Sequence, residues 1–412
     1  MAILAVNGGA RAVSEQEALA FEWPKLEASD EAAVLEALRN NYWGGIGDEN
    51  LPSAVFEREF AAYNGSAHAL VVANGSVSLE LALKACGIQP GDRVIVPAIT
   101  FYASASAIVS AGAVPVFADV DPKTCQITAA AIEDAAGTGA KAVIVVHYGG
   151  YMADMDAIMA VSKKFNLKVI EDCAHAHGSE WRGKKAGSFG EFGSFSFQHS
   201  KSLPAGEGGA VTTDDESLYE KASLIRNIGR ATGQRTYGHY VVASNWRLGG
   251  LQGALLLSKF RRFPELAATR HESILYFQNE LKKIEGLAGM PDDERQTKRG
   301  CYFYVFGFDA EKFGCSRKKF IEAMRAEGIY AVISGYDRPI YKEPAFAPDN
   351  LRPFLHPAVE TVDYNALYLP NSEKWAETQV AILHYYYSYG RAAVDRVLEA
   401  IHKIKNNVSE LN

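Results

Sequence analysis

Three short stretches carry side chains that can grip one small molecule from different sides. Lys201 closes the run Phe195-Ser196-Phe197-Gln198-His199-Ser200-Lys201, and the glycine-rich turn Gly206-Glu207-Gly208-Gly209 follows it. Asp172 ends the apolar run Leu167-Lys168-Val169-Ile170-Glu171-Asp172. Ala73-Asn74-Gly75-Ser76 joins another apolar run to residues of helical spacing. An amine attacks an aldehyde only when neutral, which takes desolvation or a neighbouring cation. A carboxylate can hold the proton on a pyridine nitrogen. The free N–H groups and positive dipole end of a helix suit a phosphate. Amine, carboxylate and phosphate-sized turn together are the parts needed to hold pyridoxal 5'-phosphate.

Taken singly, each residue also has an ordinary use. Ser76 can be a plain helix cap. Asp172 can be a cap or, with His175 and His177, a zinc ligand. One tight run seldom meets tetrahedral geometry, so no metal is expected. Phe101, beyond the apolar run 93–97, can stack on a planar cofactor, a contact of about 0.5–1.5 kcal/mol beyond burial, or fill the core. His199 lies two positions before Lys201 and in an extended segment would share its face. It can touch substrate or be a hydrogen-bonded polar residue. Once substrate displaces it, the Lys201 amine is placed to move a proton between the substrate's Cα and the cofactor.

Positioning these groups takes an α/β frame. Apolar runs at 68–73, 93–97, 114–118, 142–146 and 167–170 alternate with helical spacing at 76–85, 104–111 and 156–165. This predicts a large cofactor-binding domain with a mostly parallel central sheet between helices, its ligands at the carboxyl ends of the strands. Residues 194–198 and 209–213 read as strands flanking the lysine loop. Residues 30–38 read as a helix capped by Ser29 or Asp30, and 40–47 as a glycine-rich loop. A helix at 251–260 and a second from about 266 lead to a smaller α+β domain. That domain has strands at 302–308 and 380–385, and helices at 316–326 and 391–404. The expected division is an N-terminal arm and large domain over 1–265, then a linker helix and small C-terminal domain over 266–412.

The bulk composition narrows the classes. A chain of 412 residues that is 48% hydrophobic can bury a large core, and 22% charged residues mark an ordinary globular protein. A net charge of −7 without a long basic run argues against nucleic acid as partner. Cys86, Cys125, Cys173, Cys301 and Cys315 are odd in number and scattered, which favours a reducing compartment. The apolar start, residues 1–6, is too short for a signal peptide, and no apolar run reaches the ~20 residues that span a bilayer. The expectation is a cytoplasmic protein without membrane contact.

The ordered motifs resemble the DegT/DnrJ/StrS family of sugar and cyclitol aminotransferases, within the aspartate-aminotransferase-like superfamily. The likeness runs through 56–65, 73–83, 96–101, 116–121, 153–156, 170–178, 195–201 and 206–211, then Asn245-Trp246-Arg247 and Leu251-Gln252. It implies that Lys201 is the Schiff-base lysine and Asp172 the partner of the pyridine nitrogen. His175 would bond the phenolic oxygen, and Phe101 would stack on the ring. Gly75, Ser76 and Ser196 would contact the phosphate, as would Asn245 supplied by a neighbouring subunit, giving a homodimer with shared sites. The amino donor would be glutamate or glutamine and the acceptor a keto sugar or keto cyclitol.

Gln198, the run 174–178 and the Trp43-Gly44-Gly45 loop look most like the branch with scyllo-inosose aminotransferases and amino-hydroxybenzoate synthases. Arg247-Leu248-Gly249-Gly250 and Ser202-Leu203-Pro204 depart from the common patterns, at loops that border the substrate. Trp43, Tyr341 and His384 could line the acceptor pocket or be structural. Rival readings are a dehydratase or aromatase on a cyclic substrate, and a non-catalytic cofactor-binding regulator. Retention of the lysine favours transamination over dehydration, and a regulator would need an added module that is not seen.

Overall fold

A computed structural model of the chain describes residues 3–231, 238–359 and 362–411. Met1 and Ala2 of the apolar start lie outside the described residues. Three helices come first: α1 (Glu15–Ala20), α2 (Ala28–Arg39) and α3 (Pro52–Asn64). The central sheet then alternates with helices: β1 (His68–Val72), α4 (Gly75–Ala85), β2 (Arg93–Pro97), α5 (Ala103–Ser110), β3 (Val114–Ala118), α6 (Ala129–Ala136), β4 (Ala142–Val146), α7 (Met155–Phe165) and β5 (Lys168–Asp172). A short hairpin, β6 (Glu180–Trp181) and β7 (Lys184–Lys185), leads to β8 (Phe192–Ser196), the lysine loop, β9 (Gly209–Thr213) and α8 (Glu216–Arg226).

The sheet order is β1-β9-β8-β5-β4-β2-β3. Every pairing from β8 to β3 is parallel, and β9 runs antiparallel to both neighbours. All five residues of β4 are buried, as a sheet covered on both faces requires. Pro97, Val146, Asp172 and Ser196 therefore end neighbouring strands on one edge, the expected place for a ligand.

The 32-residue α9 (Gly250–Leu281) replaces the two helices expected around residue 266. Pro264 lies inside it. A proline deletes one helical hydrogen bond, yet the flanking turns pack on both sides, and packing outweighs propensity. Leu256, Phe260 and Phe263 join the core under the large sheet, whereas Ile274, Phe277 and Leu281 join a second core. That second core surrounds an antiparallel sheet of order β10-β11-β13-β12, built from β10 (Leu287–Ala288), β11 (Phe303–Phe308), β12 (Val332–Ile333) and β13 (Gln379–Leu383). Its main helices are α11 (Arg317–Ala326) and α14 (Arg391–Asn406); the short α10 (Ala310–Phe313) precedes α11, and α12 (Pro348–Leu351) and α13 (Pro370–Thr378) lie between the two in sequence.

Core membership does not follow residue 265. Leu4 and Val13 of the N-terminal arm pack in the small-sheet core, and Ile340, Tyr341 and Phe346 pack in the core beside β3. The cap of α2 is Glu27, with Asp30 at the third helical position completing a capping box, rather than Ser29 or Asp30 as cap. No helix among the described residues is long and apolar enough to cross a membrane.

Aromatic packing fixes β8. Phe60 is buried, meets Phe195 edge-on at 5.0 Å and Phe197 edge-on at 5.9 Å, and stacks on Phe56 at 5.1 Å. Phe60→Ala is expected to cost about 3–5 kcal/mol through lost burial and a residual cavity. Equilibrium denaturation of purified protein would measure it, and a loss below 1 kcal/mol would mean the ring does not hold the strand.

Candidate active site

Asp172 reaches the sheet edge as the last residue of β5, and it is buried. Its Oδ2 accepts from Ser104 Oγ at 2.7 Å and its Oδ1 from the Ala174 N–H at 3.1 Å. The preceding Glu171 is fully buried too. It accepts from the N–H groups of Gly187, Phe189 and Gly190 and pairs with His147 Nε2 at 3.0 Å. His147, Glu171 and Cys173 offer atoms within 4.8 Å of one another. Both Glu171 oxygens are already engaged, however, and burial pushes the Cys173 thiol well up, away from the thiolate that binds metal.

Lys201 hangs from a loop between the antiparallel strands β8 and β9. Only 8% of the residue is exposed, and its Nζ lies 3.9 Å from the centre of the Tyr302 ring. Burial lowers the amine to about 8, and the Asp172 carboxylate pulls the other way. That carboxylate is thus near enough to act on the amine. His175 is buried and stacks on Tyr302 at 4.7 Å. Burial and then Lys201 hold the imidazole well below its ordinary value, so it is neutral. Its Nδ1 accepts from the Gly149 N–H at 3.4 Å, which leaves the ring proton on Nε2.

The phosphate-sized turn is preorganised by close packing. The cap of α4 is Asn74, whose Oδ1 accepts from the Val77 N–H at 2.9 Å. Ser76 is therefore not the cap, and its exposed side chain is left for other contacts. A methyl group on Gly75 would lie 2.6 Å from Ser196 Cβ, and one on Gly209 would lie 2.5 Å from the Asn74 carbonyl carbon. The two glycines let β8 and β9 close on the helix start, bringing Ser196 against Gly75, next to Ser76. Ser78 Oγ and Ser194 Oγ, 2.6 Å apart, tie the same elements together. The N–H groups of the first helical turn have no partner inside the helix. This donor set and cradle fit a phosphate monoester.

The other expected residues fall differently. Phe101 is 53% exposed and tilted against Tyr336 at 6.3 Å. Asn245 is exposed, accepting only the Arg247 N–H among its described bonds, and Trp43 lies on the surface with Nε1 donating to Leu38 O. His199 is exposed while Lys201 is buried, so the two do not share a face. The segment is a turn, with the Lys201 N–H donating to Gln198 O at 2.8 Å, and strand alternation does not apply. Tyr341 is buried beside Phe117, donates to Glu373 at 2.6 Å and accepts from the Leu369 N–H. His384 is fully buried behind the lysine loop, with Nε2 3.0 Å from Ser200 O. Sequence reasoning missed Ser104 and Tyr302. Ser104 follows Phe101 by three positions at the same sheet edge and was open to the strand-end rule. Tyr302 comes from the small domain, and no local signal marks it.

A parallel-sheet α/β frame with a buried lysine, a carboxylate and a phosphate cradle at its carboxyl edge defines a pyridoxal 5'-phosphate enzyme of the aminotransferase type. The chain belongs to the DegT/DnrJ/EryC1/StrS aminotransferase family, whose profile matches residues 24–402. It is similar to the L-glutamine:2-deoxy-scyllo-inosose aminotransferase of Streptoalloteichus tenebrarius, 34% identical over 94% of this chain and 95% of the relative. It is also similar to the 3-amino-5-hydroxybenzoate synthase of Amycolatopsis mediterranei, 35% identical over 88% and 91%. Among solved structures, a 3-amino-5-hydroxybenzoic acid synthase superposes with a TM-score of 0.82 at 31% identity, covering 94% of this chain and 98% of that one.

Two outcomes are expected. Gly75→Ala should weaken cofactor binding by about tenfold or more, since Ser196 Cβ can give way only if the end of β8 moves off α4; titration of the stripped protein reads this, and unchanged affinity would place the phosphate elsewhere. The second concerns pH. Lys201 titrates near 8 when folded, against 10.5 ordinarily. Between those values only the unfolded chain holds the proton, so cofactor-free protein gains stability as pH rises through that window. The gain over Lys201→Met is about 3 kcal/mol. A difference that stays flat from pH 8 to 10.5 in denaturant unfolding would contradict a desolvated amine.

Proposed function

We propose that this aminotransferase moves an amino group from glutamine or glutamate to a keto cyclitol or keto sugar, with Lys201 as the attachment and proton-transfer residue. The observation that carries the reading is the buried Lys201 amine, lowered to about 8 within reach of Asp172's field. An amine so placed is substantially neutral near pH 8, as both attack on an aldehyde and proton removal require.

Asp172, fixed by Ser104 and the Ala174 N–H, would hold a proton on the ring nitrogen. His175 would donate from Nε2 to the phenolic oxygen. Gly75, Ser76 and Ser196 would grip the phosphate, Phe101 would cover the ring, and Asn245 would reach the phosphate from a second copy in a homodimer. When bound, the cofactor supplies an electron-accepting ring and carries nitrogen between the two half-reactions. The chain's own task is to orient the breaking bond, exclude water and move one proton at Lys201 Nζ. An N-terminal arm and large domain over 1–265 and a linker helix with a small C-terminal domain over 266–412 would meet over that amine.

The donor and acceptor classes are supported by relatives named L-glutamine:inosose aminotransferases over nearly the whole length, which favours glutamine. The five cysteines are all free, in keeping with a cytoplasmic setting.

Lys201→Ala decides the central role. The purified variant should lose the visible absorbance of attached cofactor and about 10²–10⁴-fold in turnover; unchanged colour and activity would refute it. Mixing the wild type with glutamine, glutamate and keto cyclitols or nucleotide keto sugars should yield one 2-oxo acid per amine formed. Water loss without 2-oxo acid would instead favour a dehydratase.

A further inference from the structure

Three consecutive backbone carbonyls of the lysine loop are each taken by a different buried or half-buried side chain. Ser200 O faces His384 Nε2 at 3.0 Å, Lys201 O accepts from Trp23 Nε1 at 3.1 Å, and Ser202 O accepts from Arg270 Nη1 at 2.8 Å. These side chains come from the N-terminal arm, α9 and the segment after β13, far apart in sequence. They also lock onto one another. The Trp23 and His384 rings meet edge-on at 4.6 Å, and the Arg270 guanidinium lies 4.9 Å from the centre of the Trp23 ring. Arg270 Nε donates to Ser388 Oγ at 2.8 Å, and Ser388 Oγ lies 3.5 Å from His384 Nδ1.

The loop's N–H groups are settled separately. Ser200 N–H and hydroxyl both donate to Gln198 Oε1, and the Lys201 N–H to Gln198 O. Gln198 shapes the turn from within, and Tyr302, His177 and the Phe197 carbonyl hold Ser200, Ser202 and Ala205, so the three outer groups add to a turn already formed. Arg270 is 1% exposed, and among the described residues no carboxylate pairs with it; its Nη2 has no partner. Burying a cation without a counter-charge is costly. Stability alone would favour an apolar residue there, so its bond to the Ser202 carbonyl points to a requirement on the loop itself.

We propose that Trp23, Arg270 and His384 are positioning residues that clamp the lysine loop at three successive carbonyls and so aim the Lys201 amine. Lysine has a flexible four-carbon stem. Anchoring its backbone on both sides of Cα removes the rotation of the stem's base and leaves fewer poses for the amine. The clamp also ties the arm and the small domain to the reacting group, so their docking is read at Lys201. The inference rests on Lys201 being the attachment residue.

Trp23→Phe keeps an aromatic ring beside His384 and Arg270 while removing the N–H donor and part of the indole. Its thermal midpoint should match the wild type, while amides at 198–206 exchange faster with solvent and stripped protein attaches added pyridoxal phosphate about tenfold more slowly. Arg270→Met should slow attachment further, and Arg270→Lys, keeping charge and a donor, should recover part of the loss. A purely structural role would instead lower the midpoint and loosen exchange across the small domain. Attachment within twofold of wild type in Trp23→Phe, with loop exchange unchanged, overturns the clamp. If Lys201→Ala still attached cofactor, the functional reading would fail, and faster loop exchange in Trp23→Phe would still support the clamp.

Discussion

One amine in a dry place governs the rest of this structure. Two forces act on Lys201 in opposite directions: desolvation favours its neutral form and the Asp172 carboxylate favours its cation. Desolvation wins, but only while water stays out. The exclusion comes from both cores at once. Asp172 and His175 approach from the end of β5, and Tyr302 covers Nζ from the start of the small domain. Neither half of the chain makes the environment alone, so the long α9 that runs through both cores has a direct bearing on the chemistry.

Adjacent carboxylates show how the frame divides its labour. Successive side chains of a strand point to opposite faces of the sheet. Asp172 faces the amine, whereas Glu171 faces away and accepts four hydrogen bonds from the 187–190 loop and His147. A carboxylate saturated in this way fixes the end of β5 against β4 and the loop before β8. Asp172, whose described donors are Ser104 and the Ala174 N–H, is left for the role proposed above. The register of one strand therefore sets both the anchor and the active group.

What could be read in the sequence was what is local. Apolar runs ending in Asp172 or leading to Gly75 announce strand ends, and the strand-end rule then places ligands. The α/β sheet, its mostly parallel order and the loop bearing Lys201 were legible for that reason. The errors have physical causes as well. A strand reading puts His199 on Lys201's face, whereas Gln198 builds a turn there. Two helices were expected where packing carries one across Pro264. Trp23, Arg270 and Tyr302 were invisible as site-forming residues because each arrives through tertiary contacts more than 60 positions away from the loop or across domains. Long-range closure leaves no periodic trace in a single sequence.

The same division bears on how such a frame changes substrate. Asp172 and the Gly75 turn lie in continuous stretches of the large domain, one at a strand end and the other where a methyl added to the glycine would come within 3 Å of Ser196. Those positions tolerate little. The side chains near the amine outside the large sheet come from loops and from the small domain: Tyr302 and Tyr336 pack on His175, and the exposed Phe101 tilts against Tyr336. A change of acceptor can therefore accumulate at the exposed Phe101 while Tyr302, which covers the amine, stays fixed. Relatives named for a keto cyclitol reaction and for hydroxybenzoate synthesis stand at nearly equal identity to this chain, 34% and 35%. Equal distance to two such different products is what a fixed cofactor floor under a variable roof would produce.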